Sequence, residues 1–355
     1  MEFSELQREI VETDARKVIV ASCAGSGKTR CLVGRCEYLL RQGVDPRKIV
    51  LITFTNAAAE EISERLGHPQ GVFVGTIHSY ANNLLLARGH ETHEIIESGE
   101  FDGLFEKVKM KPSCVKEVEH LLLDEGQDST DMQFEFIFDI IKPQNWMVFA
   151  DWRQSIYRWN YADPDYLIDL SHQFDVTVYE LDENYRNAPE ILDFARGLIG
   201  TVGYNYRDNS IAMREKGGSV AVGIEYNPQS IARTFSEMDE EKLGSWFVLT
   251  RTNAQLEEVA AELKKRGVPY DTFKRAELDN KELNRRMKNN TVKVLTIHTA
   301  KGLEADNVLV IGTHSYNTEE KCISYVAATR ARNRLVWTKA AMKKKPKFGT
   351  ANWET

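Results

Sequence analysis

Residues Leu121–Asp128 have the sequence LLLDEGQD, and this stretch decides the fold class of the chain. Three consecutive leucines are typical of a short strand that is buried on both faces, as in parallel sheets. The adjacent carboxylates Asp124 and Glu125 follow the strand. Asp124 can hold a magnesium ion and Glu125 can polarise a water molecule, which is half of a nucleotide hydrolase. The other half, a cradle for phosphates, is expected upstream.

The candidate cradle is Ala21–Thr29, with the sequence ASCAGSGKT, directly after the apolar run Val18–Val20. Gly25 and Gly27 allow backbone N–H groups to turn toward an anion without obstruction by a Cβ atom. The following segment, Arg30–Arg41, has apolar residues at helical spacing. The positive end of that helix would therefore also face the phosphates.

Two side chains of the cradle carry the chemistry. Lys28 supplies a positive charge for the β- and γ-phosphates, and the Thr29 hydroxyl can bind magnesium. The literal pattern GxxxxGK[ST] fails because Ser22 occupies the first glycine position. Taken alone, the segment could be an ordinary flexible loop. A strand before it, a helix after it and the downstream Asp124–Glu125 pair favour a nucleotide site.

Composition indicates a soluble globular protein, with 42% hydrophobic and 28% charged residues, and the 355 residues suffice for two domains. No apolar run approaches the roughly 20 residues that span a membrane, and residues 1–5 lack a signal-peptide pattern. The five cysteines have neither a CxxC pair nor zinc-site spacing. We therefore expect reduced thiols, a cytoplasmic protein and no membrane partner.

The net charge of −7 argues at first against nucleic acid as a partner. The charge is unevenly distributed, because residues 291–355 carry a net +6 and the remainder −13. A basic C-terminal region can bind nucleic acid locally despite an acidic total. The cluster Lys343–Lys347 within it is either such a contact or a solvated tail.

Short apolar strands alternate with amphipathic helices in both halves of the chain, which predicts an α/β fold with parallel sheets. We expect a first domain at 1–181 and a second at 182–355. The predicted strands are 18–21, 49–54, 72–75, 120–124, 146–150 and 176–181, then 219–224, 246–250, 292–297, 307–312 and 334–338. Two polar, partly helical segments interrupt the pattern, at 88–118 and 276–290.

Further candidate residues follow other predicted strands. Asp151 and Gln154 come after an apolar strand, so both should face the phosphates. Tyr157 and Trp159, with Arg158 between them, suit stacking on nucleic-acid bases, each stack contributing roughly 1–3 kcal/mol. The alternative is that both rings belong to the core.

The second half of the chain contains two arginines that are candidates for binding the phosphates. Arg186 could reach a γ-phosphate across the domain interface, and Arg330 offers a second guanidinium. Tyr185 could stack on an adenine. Each arginine taken singly could equally be a surface salt-bridge partner, and His298 alone could be structural.

The order of these motifs resembles that of the superfamily I DNA helicases of the UvrD, Rep and PcrA kind. The resemblance covers nearly the whole chain. Its motifs are Leu6–Arg8, Gly25–Arg30, Thr53–Ala58, Gly75–Ser79, Asp124–Asp128, Gln154–Trp159, Asn184–Arg186, His298–Glu304 and Tyr325–Ala331.

The resemblance implies two RecA-like P-loop domains with ATP at their interface and single-stranded DNA across their tops, stepping 3′ to 5′. By position, the resemblance places Gln7, Arg30 and Tyr185 at the adenine and Glu304 at the ribose. Gly25, Ser26, Gly27 and Gly302 would also bind the nucleotide. The γ-phosphate would be surrounded by Lys28, Gln154, Arg186 and Arg330. Thr29 and Asp124 would hold Mg²⁺, and Glu125 would activate water. The DNA set is Phe54, Thr55, Asn56, His78, Tyr157, Trp159 and His298.

The chain departs from the family pattern in several places. Trp152 and Arg153 stand where acidic residues are usual, and nothing in the sequence explains them. The segments 88–118 and 276–290 are much shorter than the family's accessory subdomains, which puts strand separation in more doubt than translocation. A nucleotide-dependent accessory factor without processive unwinding and an RNA-directed motor stay open as alternatives. Repair or replication as the pathway, and the oligomeric state, monomer included, stay open as well.

Overall fold

The computed structural model describes residues 2–200, 202, 207–273, 280–313 and 317–339. Its two six-stranded sheets are parallel throughout and carry helices, so the predicted α/β class is confirmed. The strands are β1 (Lys17–Ser22), β2 (Ile49–Ile52), β3 (Phe73–Gly75), β4 (His120–Leu123), β5 (Asn145–Ala150), β6 (Thr177–Leu181), β7 (Glu183–Asn184), β8 (Ile211–Ala212), β9 (Ser219–Ile224), β10 (Trp246–Thr250), β11 (Tyr270–Phe273), β12 (Val292–Thr296), β13 (Ala305–Val310) and β14 (Ala331–Thr338).

The helices are α1 (Glu5–Glu12), α2 (Lys28–Arg41), α3 (Asn56–Arg65), α4 (Ile77–Leu86), α5 (His93–Ser98), α6 (Gly103–Met110), α7 (Asp131–Glu135), α8 (Pro164–Ser171), α9 (Pro189–Ile199), α10 (Pro228–Ser236), α11 (Glu240–Leu243), α12 (Asn253–Lys265), α13 (Asn280–Met287) and α14 (Thr318–Ala328). The helix predicted at Arg30–Arg41 corresponds to α2, which begins two residues earlier. Within the described ranges, none of these helices combines the length and apolar character needed to span a bilayer.

The first sheet has the strand order β3-β2-β4-β5-β1-β6. This order places β4, β5 and β1 side by side, with Leu122 next to Met147 and Met147 next to Val18. Because the strands are parallel, their carboxyl ends lie along one edge. The candidate cradle after β1, the acidic pair after β4 and Asp151 after β5 therefore meet at that edge.

The second sheet has the strand order β11-β12-β10-β13-β14-β9. Every one of the eleven predicted strands overlaps an observed one, whereas β7, β8 and β11 were not predicted. The strand β11 is a short edge strand with a polar interior, Asp271-Thr272, so its sequence lacks an apolar run. Asp271 instead accepts hydrogen bonds from Arg286 and Thr291, which tie the edge strand to its neighbours.

One hydrophobic cluster contains residues from both halves of the chain. Ala24, Ile156 and Tyr157 from the first half pack with Leu295 and Tyr325 from the second. Trp152, which the sequence left unexplained, packs both against this cluster and against the core of the first sheet. The two sheets thus share apolar packing behind the candidate site.

The structure describes all of the polar segment 88–118 but only part of the polar segment 276–290. The segment 88–118 contains α5, α6 and a 3₁₀ turn, with Phe105 and Val108 of α6 buried against the first sheet. In the segment 276–290, α13 begins at Asn280, and residues 276–279 lie outside the described residues. The basic cluster 343–347 also lies outside them.

Gly126, directly after the acidic pair, provides a stability prediction. A Cβ atom there would lie 2.5 Å from Val148 Cγ1 and 3.0 Å from Leu167 Cδ1, both fully buried. We expect Gly126→Ala to lower the free energy of unfolding by about 1–3 kcal/mol, because the core must move to accept the methyl group. Urea unfolding followed by circular dichroism measures this change.

Gly197 in α9 is the matched control, because no neighbouring atom lies within 4 Å of a Cβ built there. The same glycine-to-alanine change should stabilise the protein there by about 0.5–1 kcal/mol through helix propensity. Equal effects at the two positions would contradict the packing explanation.

Candidate nucleotide site and nucleic-acid surface

The loop between β1 and α2 has the geometry of an anion cradle. Gly25 and Gly27 adopt positive φ angles of +68° and +84°, which only glycine adopts without cost. The helix α2 begins directly after the loop, at Lys28, so its free N–H groups point at the loop. Ser22, which replaces the usual glycine, donates a 2.9 Å hydrogen bond to the Ala150 carbonyl and so belongs to the sheet.

The residues of this loop fit a nucleotide phosphate. The buried Ser26 hydroxyl has no hydrogen-bond partner among the described residues. A Cβ atom at Gly25 would lie 2.5 Å from Arg186 Cβ, so the loop and the second half of the chain leave no space for a side chain. A cationic, glycine-lined concavity with an unused donor is suited to phosphate oxygens.

The acidic pair lies against the cradle. Lys28 Nζ is 3.5 Å from Glu125 Oε1, and Gln127 donates a 2.6 Å hydrogen bond to the other carboxylate oxygen of Glu125. Glu125 has a φ of +52°, an uncommon conformation for a residue with a side chain. Its backbone N–H donates to Asp124 Oδ1 at 3.0 Å. The carboxylates are therefore held in different environments.

These environments separate the two carboxyl pKa values. Burial, and then the charge of Glu125, raises the pKa of Asp124. Burial also acts to raise the pKa of Glu125, but Lys28 and Lys301 outweigh it and lower that pKa. The pKa values of the two carboxyl groups are therefore displaced in opposite directions. Asp124 together with the Thr29 hydroxyl offers the hard oxygen donors that Mg²⁺ prefers, so these residues fit the metal.

Gln154 connects the two halves of the chain. Its Nε2 donates to Asp151 Oδ2 at 2.7 Å, and its Oε1 accepts a 3.1 Å hydrogen bond from Arg330 Nη2. Arg330 is buried and also donates to the backbone carbonyls of Val326 and Leu303. Burial, followed by the charge of Arg186, lowers the pKa of Arg330 to about 9.

A second polar contact between the halves involves residues that sequence reasoning did not assign to the site. The Lys301 side chain is 8% exposed and donates to Asp128 and, at 2.8 Å, to the Gln154 carbonyl. Both residues lie inside quoted motifs, and each follows a strand of its own sheet. The sequence signal that could have identified this pair is an acidic residue, Asp128, and a basic residue, Lys301, each of which follows a strand of a different sheet.

The residues assigned to the adenine and ribose lie around the same loop. Gln7 is buried and donates to the Ser26 carbonyl at 3.0 Å. Tyr185 is half exposed, and its backbone N–H donates to the Gly25 carbonyl at 3.0 Å. The Arg30 guanidinium lies 4.7 Å from the centre of the Phe3 ring. These contacts place Gln7 and Tyr185 directly on the loop.

Arg186 and the 302–304 segment approach from the second half. Arg186 Nε donates to Glu304 Oε2 at 2.5 Å, and Arg332 also lies near Glu304. Burial acts to raise the pKa of Glu304, but the two arginines, led by Arg186, lower it. Gly302 has a φ of +86° and open space around it. The Arg186 side chain is thus held beside the cradle by an acidic partner.

Four of the assigned DNA residues form one aromatic group, with Tyr157 at its centre. The Tyr157 ring stacks on Phe54 at 5.0 Å and lies 5.9 Å from the His298 ring and 6.2 Å from Trp159. Tyr157 is only 4% exposed, whereas Trp159 is 64% exposed. Of these two rings, Trp159 is therefore the one that offers a surface for stacking.

The other assigned DNA residues have different local roles. The Thr55 hydroxyl accepts a hydrogen bond from the Ala58 N–H and caps α3, which begins at Asn56. His78 stacks on Phe105 at 4.9 Å and hydrogen-bonds to Asp102 at 3.0 Å. Phe105 and Asp102 belong to the 88–118 segment, so that segment contacts the His78 ring directly.

Family models match most of the chain. The model for the UvrD/REP helicase N-terminal domain matches residues 3–110 and 93–175. The model for the UvrD-like helicase C-terminal domain matches residues 272–342. Domains of this kind have the RecA-like P-loop fold, so the two parallel sheets are of that type.

Individual relatives are similar over 55% to 77% of the chain. A putative ATP-dependent DNA helicase R568 of Acanthamoeba polyphaga mimivirus is 29% identical over 55% of this chain and 30% of its own length. The DNA helicase II of Haemophilus influenzae is 24% identical over 77% of this chain and 52% of its own. The Gabija protein GajB of Bacillus cereus is 25% identical over 77% and 64%, respectively. The chain thus covers less than two thirds of each of these relatives.

Proposed function

The chain belongs to the UvrD/Rep helicase family, and from this premise we propose that it is an ATP-dependent motor that moves 3′ to 5′ along single-stranded DNA and unwinds tailed duplexes. Two RecA-like domains, 1–181 and 182–355, would bind ATP between them. The observation that carries this proposal is the hydrogen bond between Gln154 and Arg330, which joins the two halves beside Lys28 and Glu125.

The chemistry follows from the charges around the cradle. Lys28, Arg186 and Arg330 supply positive charge where negative charge develops on the transferred phosphoryl group. Glu125, whose pKa is lowered by the nearby Lys28, is placed to orient a water molecule and accept its proton. Magnesium, held by Thr29 and Asp124, would neutralise part of the phosphate charge. Gln127 fixes the Glu125 carboxylate for its task.

Movement along DNA requires that the nucleotide site and the aromatic group move together. Lys301 joins them, because it donates to Asp128 near the acidic pair and lies 5.1 Å from the centre of the Tyr157 ring. Tyr157 in turn contacts Phe54 from the first half and His298 from the second. Closure of the halves around ATP would therefore shift Phe54 and His298 relative to each other, with Trp159 at the exposed end.

The alternative is a DNA-stimulated ATPase or nucleotide switch that acts as an accessory factor. The short 88–118 and 276–290 segments favour it, since they leave little protein to hold a duplex. The retention of Glu125, Arg186 and Arg330 favours the motor, because hydrolysis rather than binding alone requires these groups.

ATP hydrolysis with and without single-stranded DNA tests the proposal. We expect hydrolysis to rise when DNA is added, and we expect Lys28→Ala to abolish it because the γ-phosphate loses its cation. Glu125→Gln should still bind ATP but hydrolyse it at least roughly 10²-fold more slowly, since its water loses a general base. An absence of DNA stimulation in the unaltered protein would contradict the motor.

A strand-separation assay with tailed duplexes tests the form of the substrate and the direction of movement. Duplexes with a 3′ tail should be unwound and those with a 5′ tail should not. Stimulation by tailed DNA without strand separation would favour the accessory alternative. Stronger stimulation by a matched RNA strand would indicate an RNA-directed motor.

Trp159 provides a prediction for the nucleic-acid surface. Trp159→Ala should weaken single-stranded DNA binding by about 1–3 kcal/mol through the loss of one stacking platform, with basal hydrolysis retained. Phe174, a fully exposed aromatic residue after α8, is the matched control, and Phe174→Ala should leave DNA binding unchanged. Fluorescence anisotropy of a labelled oligonucleotide measures both. Equal losses in the two variants would contradict the assignment.

A further inference from the structure

Arg153 is a largely buried cation beside Gln154 that the proposed mechanism does not use. Its side chain is 11% exposed, and the sequence offered no reason for a basic residue at this position. The guanidinium fills its donor positions with acceptors from three separate parts of the chain. These are Asp151 Oδ1 at 2.7 Å, the Ser22 carbonyl at 2.7 Å and Asp208 Oδ1 at 2.9 Å.

These acceptors belong to different structural units. Ser22 is the last residue of β1 and precedes the glycines of the cradle, and Asp151 follows β5 in the same sheet. Asp208 lies in the second half and also accepts a 2.9 Å hydrogen bond from the Tyr325 hydroxyl of α14. The planar guanidinium therefore connects the strand ends of the first sheet to the second half of the chain.

Both carboxylates that pair with Arg153 are buried. The carboxylates of Asp151 and Asp208 are 0% and 1% exposed. Burial acts to lower the pKa of Arg153, but the nearby acids, led by Asp151, raise it well above the ordinary value. Arg153 is thus permanently charged, and without it two buried carboxylates would lack their cation.

Asp151 contacts both Arg153 and Gln154 through its carboxylate. Its Oδ1 accepts from Arg153, and its Oδ2 accepts from Gln154 Nε2 at 2.7 Å. The Asp151 N–H also donates to Gln127, which holds Glu125. One carboxylate, oriented by Arg153, therefore fixes the side chain that meets Arg330.

We propose that Arg153 is a positioning residue that orients Gln154 through Asp151 and couples that orientation to the second half of the chain through Asp208. This inference rests on the proposed ATP hydrolysis, in which Gln154 contacts the γ-phosphate. Arg153 contacts the cradle segment at the carbonyl of Ser22, which ends β1 and precedes Gly25–Thr29. Because this contact precedes the cradle residues that face the phosphates, removal of Arg153 should change turnover rather than nucleotide binding.

The test variant is Arg153→Gln/Asp208→Asn, which keeps the net charge of the buried trio unchanged. We expect kcat for DNA-stimulated hydrolysis to fall roughly 10²-fold, the cost of a misplaced catalytic contact, while KM for ATP stays near that of the unaltered protein. Arg153→Lys keeps the charge but loses the planar fork, and should recover only part of kcat. The matched control is Arg196→Gln/Asp193→Asn, a pair at 2.9 Å on α9 whose side chains are 35% and 70% exposed, which should leave kcat unchanged.

A double variant that folds and keeps its kcat would overturn the proposal, as would a loss of kcat and ATP affinity in equal measure. Should the double variant fail to fold, Asp208→Asn alone decides, because it keeps the Arg153–Asp151 pair and should lower kcat while KM is retained. An unchanged kcat in that variant would overturn the coupling through Asp208.

Hydrogen exchange separates this inference from the proposed function. The N–H groups of Gln154 and Ser155 donate to the carbonyls of Asp151 and Trp152 in a 3₁₀ turn. Their exchange should be faster in the Arg153 variants, whether or not the unaltered protein hydrolyses ATP. Unchanged exchange would overturn the positioning role even if the motor function stands.

Discussion

The hydrogen bond from Arg330 to Gln154 is the contact on which the site depends. Gln154 follows the central strand β5 of the first sheet, whereas Arg330 directly precedes β14 of the second. Both side chains are buried, so neither can satisfy its polar groups with water if the halves separate. The halves are thus joined at the place where the nucleotide is proposed to bind, and a change in the nucleotide would change their contact.

Around that contact, buried charge is neutralised across the interface as well as within the first half. Lys301 pairs with Asp128, and Arg153 pairs with Asp208 as well as Asp151. Removing one partner of such a pair leaves an uncompensated buried charge, which is far more costly than the loss of a surface salt bridge. The same pairs therefore favour one relative arrangement of the two sheets and link it to the strand ends that carry Glu125 and Gln154.

Much of this arrangement could be predicted from the sequence because parallel strands place their carboxyl ends together. The cradle, Asp124, Glu125 and Gln154 each follow an apolar run, so their meeting is a consequence of topology. The strand β11 escaped prediction because its pairing depends on tertiary contacts of Asp271 rather than on an apolar pattern. Arg153 and Lys301 escaped because a partner far away in the chain, Asp208 or Asp128, gives each its role. The burial of Tyr157 beside an exposed Trp159 was likewise beyond a pattern that treats both rings alike.

The most direct test of the account is a double-mutant cycle between Gln154 and Arg330, measured as kcat for DNA-stimulated ATP hydrolysis. Gln154→Ala, Arg330→Ala and the combined variant are compared with the unaltered protein. Residues in direct contact typically couple by about 0.5–3 kcal/mol. The account predicts a coupling within that range, because each change removes the same contact between the halves. Additive losses, with no coupling, would contradict a site that is completed by the joining of the two sheets.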